Sequence, residues 1–217
     1  TAYYVWLTKQ FTSPINIAIP SGNFGNAYSA WFGRENGLPI NEIFCASNVN
    51  DVLTRFISSG KLEPRETIPS VAPSMDIQIP SSLERLIYNL EGEASLFYDQ
   101  LLNEKIANLT EESTAKLQNI FSSLSFDDEM ILNEIELFYK SYGWVIDPHT
   151  ATALSSRASF SSDLPVVGVA TASPEKFSDV ISKIIDEFTV ENKKNEEKFL
   201  IQKANSSLVE NTIKEQL

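Results

Sequence analysis

Ile15-Asn16-Ile17-Ala18-Ile19-Pro20-Ser21-Gly22-Asn23-Phe24-Gly25-Asn26 decides how this chain reads. Residues 15–20 are a short apolar run with strand character. Residues 27–36, Ala-Tyr-Ser-Ala-Trp-Phe-Gly-Arg-Glu-Asn, can continue as a helix. A strand therefore feeds a glycine loop, and the loop opens a helix. In that geometry the loop N–H groups and the positive end of the helix converge on one point. An anion, most naturally a phosphate, is the expected occupant. The glycines have a plainer reading too, close packing of strand on helix, and spacing alone leaves both open. The chain has neither G-x-G-x-x-G nor Gly-Lys-Ser/Thr, so it carries no dinucleotide fingerprint and no P-loop.

Working outward, residues 1–11 are apolar on several sides and predict the tail of a buried helix, ended by Thr12-Ser13-Pro14. Downstream of the loop, Gly37 and Leu38-Pro39 end the helix, and Ile43–Ala46 is a second apolar strand. This β-α-β unit predicts an α/β fold with a parallel sheet and flanking helices. Asn50 is the expected N-cap of a helix whose face carries Val52, Leu53, Phe56 and Ile57 and which Gly60 ends. Prolines at 64, 69, 73 and 80 make residues 61–80 extended or irregular. Ser81 or Ser82 then caps a helix carrying Leu83, Leu86, Ile87 and Leu90.

Residues 91–140 are acidic, lack proline and predict three amphipathic helices, a helical excursion from the core. Asp147-Pro148 marks a helix start running to about Ser156. Leu164–Ala170 is uncharged and β-branched, as suits a central parallel strand. Pro174 opens a helix through Phe177, Val180, Ile181, Ile184 and Ile185. The expected organisation is 1–90 and 141–190 in one α/β domain, 91–140 as the excursion, and 191–217 as a surface helix or tail.

The 217 residues carry a formal charge of −12, which opposes non-specific binding to nucleic acid or anionic membranes. No apolar run approaches the roughly 20 residues of a membrane span. The single cysteine, Cys45, lies in a strand pattern and predicts a packed thiol in a reducing, cytoplasmic setting. The chain has no initiator Met and opens in what reads as mid-helix, so it is expected to be part of a longer protein. His149 could serve as a general base, but the first turn of a capped helix favours a structural role. Thr171 and Ser173 follow a strand, where ligands of open parallel sheets collect. Hydroxyls there also act simply as caps.

A resemblance adds to this. Residues 17–26 resemble the phosphate loop of threonine synthase, a pyridoxal-phosphate enzyme of fold type II. Ala46-Ser47-Asn48-Val49-Asn50-Asp51-Val52-Leu53, Ala72-Pro73-Ser74-Met75-Asp76-Ile77 and Ser82-Leu83-Glu84-Arg85-Leu86 agree in the same order. So do Asp147-Pro148-His149-Thr150-Ala151 and Thr171-Ala172-Ser173-Pro174-Glu175-Lys176-Phe177. The excursion is similar to that of the bacterial and fungal branch. The resemblance implies that Ser21, Gly22, Asn23, Phe24, Gly25 and Asn26 cradle the phosphate of pyridoxal 5′-phosphate, largely through backbone N–H groups. It implies that the Thr171 hydroxyl pairs with the pyridine nitrogen. The implied reaction turns O-phospho-L-homoserine and water into L-threonine and phosphate. The family's Schiff-base lysine lies in a Phe-Lys-Asp-like motif well before the glycine loop. Lys9, after Leu7-Thr8, is the only lysine upstream here and lacks that setting. The chain therefore resembles the C-terminal portion of the enzyme, needs the missing N-terminal half as partner, and is expected to be inactive alone. The alternatives are a threonine-synthase-like phospho-lyase and a non-catalytic anion-binding domain of the same fold.

Overall fold

The computed structural model describes residues 1–185. In chain order, α1 (Ala2–Thr8) precedes β1 (Ile15–Pro20), α2 (Gly25–Glu35), β2 (Ile40–Ser47), α3 (Val52–Ser59) and β3 (Lys61–Leu62). After a 3-10 turn at Pro73–Met75 come α4 (Leu83–Glu91), α5 (Ser95–Glu104), β4 (Ala107–Asn108), α6 (Glu111–Ile120) and β5 (Phe121–Ser125). The last elements are α7 (Asp128–Tyr142), α8 (Pro148–Ser155), β6 (Val166–Gly168) and α9 (Ser178–Ile181).

Four strands form one parallel sheet in the order β5-β2-β1-β6. Every residue of β1 is buried, as a strand covered on both faces requires. The pleat of β2 separates the two faces. Ile43 and Cys45 join the core beneath α2, α3 and α4, with Ile17, Leu53, Phe56 and Leu86. Phe44 and Ala46 point the other way, onto Ile131 and Ile135 of α7 and Ala151 of α8. Val52, Leu53, Phe56 and Ile57 are all buried, so α3 packs on the face its spacing predicts. Asp147 caps α8 as expected, its carboxylate accepting from the His149 and Thr150 amides, with Pro148 in the first turn.

Several expectations differ from the structure. The 91–140 stretch holds three helices, α5 to α7, but β5 interrupts them and joins the main sheet beside β2. Its spacing from Leu117 places Phe121 on a helix face in the sequence. Its ring instead packs edge-on to Phe24, with centroids 5.1 Å apart, and this contact carries the chain into the sheet. β6 is not central. Among the described residues it pairs with β1 alone, at the end of the strand order, and is half-buried. Its apolar composition reports packing on both faces, which sequence cannot distinguish from having two strand neighbours. In α1, Tyr4 and Thr8 are buried whereas Tyr3 and Trp6 are 88% and 66% exposed. Asn50 does not cap α3; Asp51 holds the cap position without a side-chain bond. The helix after Pro174 divides into a 3-10 turn, Pro174–Phe177, and the short α9. The expected tail, 191–217, lies outside the described residues.

Asn50 has another task. Its amide donates to the Ile68 carbonyl (2.8 Å) and to Asp76 Oδ1 (2.9 Å), and its Oδ1 accepts from the Ile68 amide. Asn48 Nδ2 and Ser70 Oγ each donate to Asp76 Oδ1 at 2.7 Å. This side-chain network substitutes for the backbone ladder that a proline-rich segment cannot make. It fixes residues 68–76 against the carboxyl end of the sheet.

Candidate functional site

Strand pairing runs into the glycine loop. The Ser21 amide donates to the Ala46 carbonyl at 2.9 Å, and the Ser21 hydroxyl turns back to the Ile19 carbonyl. Ser21 thus lines the site with its own donors already committed. Gly22 lies beneath the Pro73–Met75 turn. A Cβ there would stand 2.9 Å from the Ser74 carbonyl oxygen and 3.2 Å from the Met75 Cα. The close approach of two backbones is what requires glycine. Asn23 is anchored outward, its Oδ1 accepting from the Ser81 amide and hydroxyl and its carbonyl from the Ser82 amide.

Phe24 sits at φ 69° and ψ −3°, in the left-handed region that a bulky residue avoids. Its buried ring holds it there against Phe121. That kink lets α2 start at Gly25 without a side-chain cap. The first bond of the turn is Tyr28 N–H to the Phe24 carbonyl (2.9 Å). Among the described residues, the amides of Gly22 through Ala27 donate to no protein acceptor. Gly22–Asn26 line a cavity of about 300 Å³ together with Pro20, Ser21, Ser74, Met75, His149 and Thr171. Uncapped amides at a helix start, opening on a cavity, are the donor set an anion needs.

Thr171 follows β6 at the sheet's carboxyl end and reaches this cavity, so the structure brings it together with Ser21–Asn26. It also lines a neighbouring cavity of about 530 Å³ with Tyr4, Asn26 and Val169. Ser173 stands at the start of the Pro174 turn and makes no side-chain cap bond. His149 is buried, with Nδ1 3.0 Å from Asp147 Oδ1 and Nε2 accepting from the Ser74 amide at 3.2 Å. The Ser74 donor makes Nε2 an acceptor, so the proton resides on Nδ1 and points at Asp147. With both ring nitrogens occupied, His149 braces the turn that presses on Gly22. Burial opposes charge on Asp147, but bonds from His149 and Thr150 outweigh it and hold its carboxyl below the ordinary range.

Ser74 and Met75 are site residues that motif spacing alone did not single out. They arrive through the Asp76 network, and no periodic signal marks such a segment. Burial pushes the Cys45 thiol up to about 12, so it is a packed, protonated thiol. Among the described residues, no group of His, Cys, Asp and Glu is arranged to hold a metal. None of the described helices is long and apolar enough to cross a membrane.

Threonine synthase from Pseudomonas aeruginosa is 33% identical over 192 residues, covering 83% of this chain and 40% of that protein. Threonine synthase-like 1 from Homo sapiens is 33% identical over 183 residues, covering 81% of this chain and 24% of that protein. The structure of PLP-bound threonine synthase from Brucella melitensis matches with a TM-score of 0.81 at 29% identity, over 84% of this chain and 41% of that one. No family model matches the chain.

The parallel sheet with helices on both faces is the α/β architecture of fold type II pyridoxal-phosphate enzymes. Within that class, the chain is related to the threonine synthases and matches their C-terminal portion. It spans less than half the length of the relatives described here, 40% of the Pseudomonas protein and 24% of the human one.

Proposed function

We propose that this chain is the phosphate-anchoring portion of a threonine synthase, a carbon–oxygen lyase acting on O-phospho-L-homoserine with pyridoxal phosphate. The observation that carries the reading is the uncapped amide row of Gly22–Asn26, residues that line the cavity Thr171 shares. The residues suit the group: N–H donors without acceptors, a glycine pressed under a turn, and a hydroxyl at the cavity edge. When bound, pyridoxal phosphate supplies an electron sink for bonds at the substrate's α-carbon.

In this reading the Gly22–Ala27 amides hold the cofactor phosphate, with the α2 dipole adding to the attraction. The Thr171 hydroxyl would donate a hydrogen bond to the pyridine nitrogen. A neutral hydroxyl, unlike a carboxylate, leaves that nitrogen largely unprotonated. His149 moves no proton; it fixes Ser74 and so the roof over Gly22. The lysine that attaches the cofactor comes from the upstream portion of the enzyme, and the chain alone is inactive.

The test is reconstitution. Mixed with the upstream portion of its parent protein, the chain should release phosphate and form threonine from O-phospho-L-homoserine; alone it should form none. Threonine formation by the chain alone, or none by the whole protein, overturns the proposal. A second reading is a threonine-synthase-like phospho-lyase for a related phosphorylated amino acid, which the shared glycine loop does not separate from the first. Assays of the whole protein on both substrate types separate the two.

A further inference from the structure

Asn26 stands at the second position of α2 and lines both the cavity at the glycine loop and the larger one beside it. Its Oδ1 accepts a 2.6 Å hydrogen bond from the Tyr4 hydroxyl. Tyr4 is 3% exposed and belongs to α1, well upstream of the loop. Burial first, and the neighbouring Cys45 second, raise the Tyr4 phenol above its ordinary value, so it stays a protonated donor. A phenol that donates selects the oxygen end of a carboxamide. The Nδ2 hydrogens of Asn26 are then left at the cavity edge, with no protein acceptor among the described residues.

We infer that Tyr4 is a positioning residue for the anion site: its hydroxyl fixes the Asn26 carboxamide so that Nδ2 adds side-chain donors to the Gly22–Ala27 amides. Asn26 makes the contact and Tyr4 acts through it. Without the hydroxyl the carboxamide can flip, and the oxygen then faces the anion as often as the nitrogen does. The inference rests on the phosphate reading above, and the experiment separates the two.

The probes are inorganic phosphate and pyridoxine 5′-phosphate, which lacks the aldehyde and so cannot react with surface lysines. Affinities of the chain are measured by calorimetry, and thermal midpoints are recorded in parallel. Tyr4→Phe keeps the ring and should weaken pyridoxine 5′-phosphate binding roughly fivefold, the size of one ordinary hydrogen bond. Asn26→Ala should weaken it at least as much, and adding Tyr4→Phe to Asn26→Ala should cost nothing further. A merely structural Tyr4 would leave affinity unchanged whatever the midpoint does, or would add its effect to that of Asn26→Ala; either result overturns the inference. If the unaltered chain binds neither probe, the phosphate reading itself fails. If it binds and Tyr4→Phe binds equally well, only the role of Tyr4 fails.

Discussion

Gly22 and Phe24 set opposite backbone demands within one loop. At Gly22 the limit is space, since a Cβ would press on the Ser74 carbonyl oxygen, in a turn that the Ser74 amide's bond to His149 holds in place. Gly22→Ala should cost about 1–3 kcal/mol of stability and reduce pyridoxine 5′-phosphate binding, read by denaturant melts and calorimetry. At Phe24 the limit is conformational. Glycine would relieve a left-handed strain of order 1 kcal/mol, but losing a buried ring costs about 3–5 kcal/mol. Packing wins, so Phe24→Gly should be clearly destabilised in the same melts. Asp147 brings a pH dependence. Its folded pKa is lowered from 3.8, so its stabilisation is complete above that value and is lost as pH falls through the folded one. The stability lost on acidification from pH 5 to pH 2 should be smaller in Asp147→Asn than in the unaltered chain.

Among the elements, the proline-rich segment before α4 has the Asp76 carboxylate at the centre of its side-chain network. Asp76 accepts from Asn48, Asn50, the Ser70 hydroxyl and the Ser70 amide. Removing it orphans several buried donors at roughly 1–3 kcal/mol each before relaxation. Asp76→Ala should therefore raise proteolytic cleavage within residues 61–80 and weaken anion binding through the released Ser74 turn. Asp76→Asn, which retains an acceptor, should fall between. Nothing in the sequence of 61–80 announces this, because the prolines say only what the segment cannot be. The strand–loop–helix of β1 and α2 and the start of α8 were legible, since a cap or a glycine acts within a few residues of itself. β5 was not, because its few strand residues follow α6 directly and take their conformation from β2.

At the scale of the described residues, β6 ends the strand order and lies near exposed Tyr3 and Trp6 of α1. The cavity between them is lined by Tyr3, Trp6, Leu7 and Val167. An open strand edge next to apolar surface promotes association. The chain should self-associate with rising concentration in sedimentation velocity, and Trp6→Glu should reduce this. Pairing loop with sheet, the sequence by itself determined the α/β class, the glycine loop, its helix and the Asp147-Pro148 cap. Each depends on residues within one turn or one strand of each other. Only the tertiary structure decided that β6 is an edge, that β5 joins the sheet, and that Asn50 holds a loop instead of capping a helix. It alone set the Tyr4 hydroxyl on Asn26. Those outcomes depend on contacts between distant segments, and a side chain's partner across the fold leaves no local period in the chain.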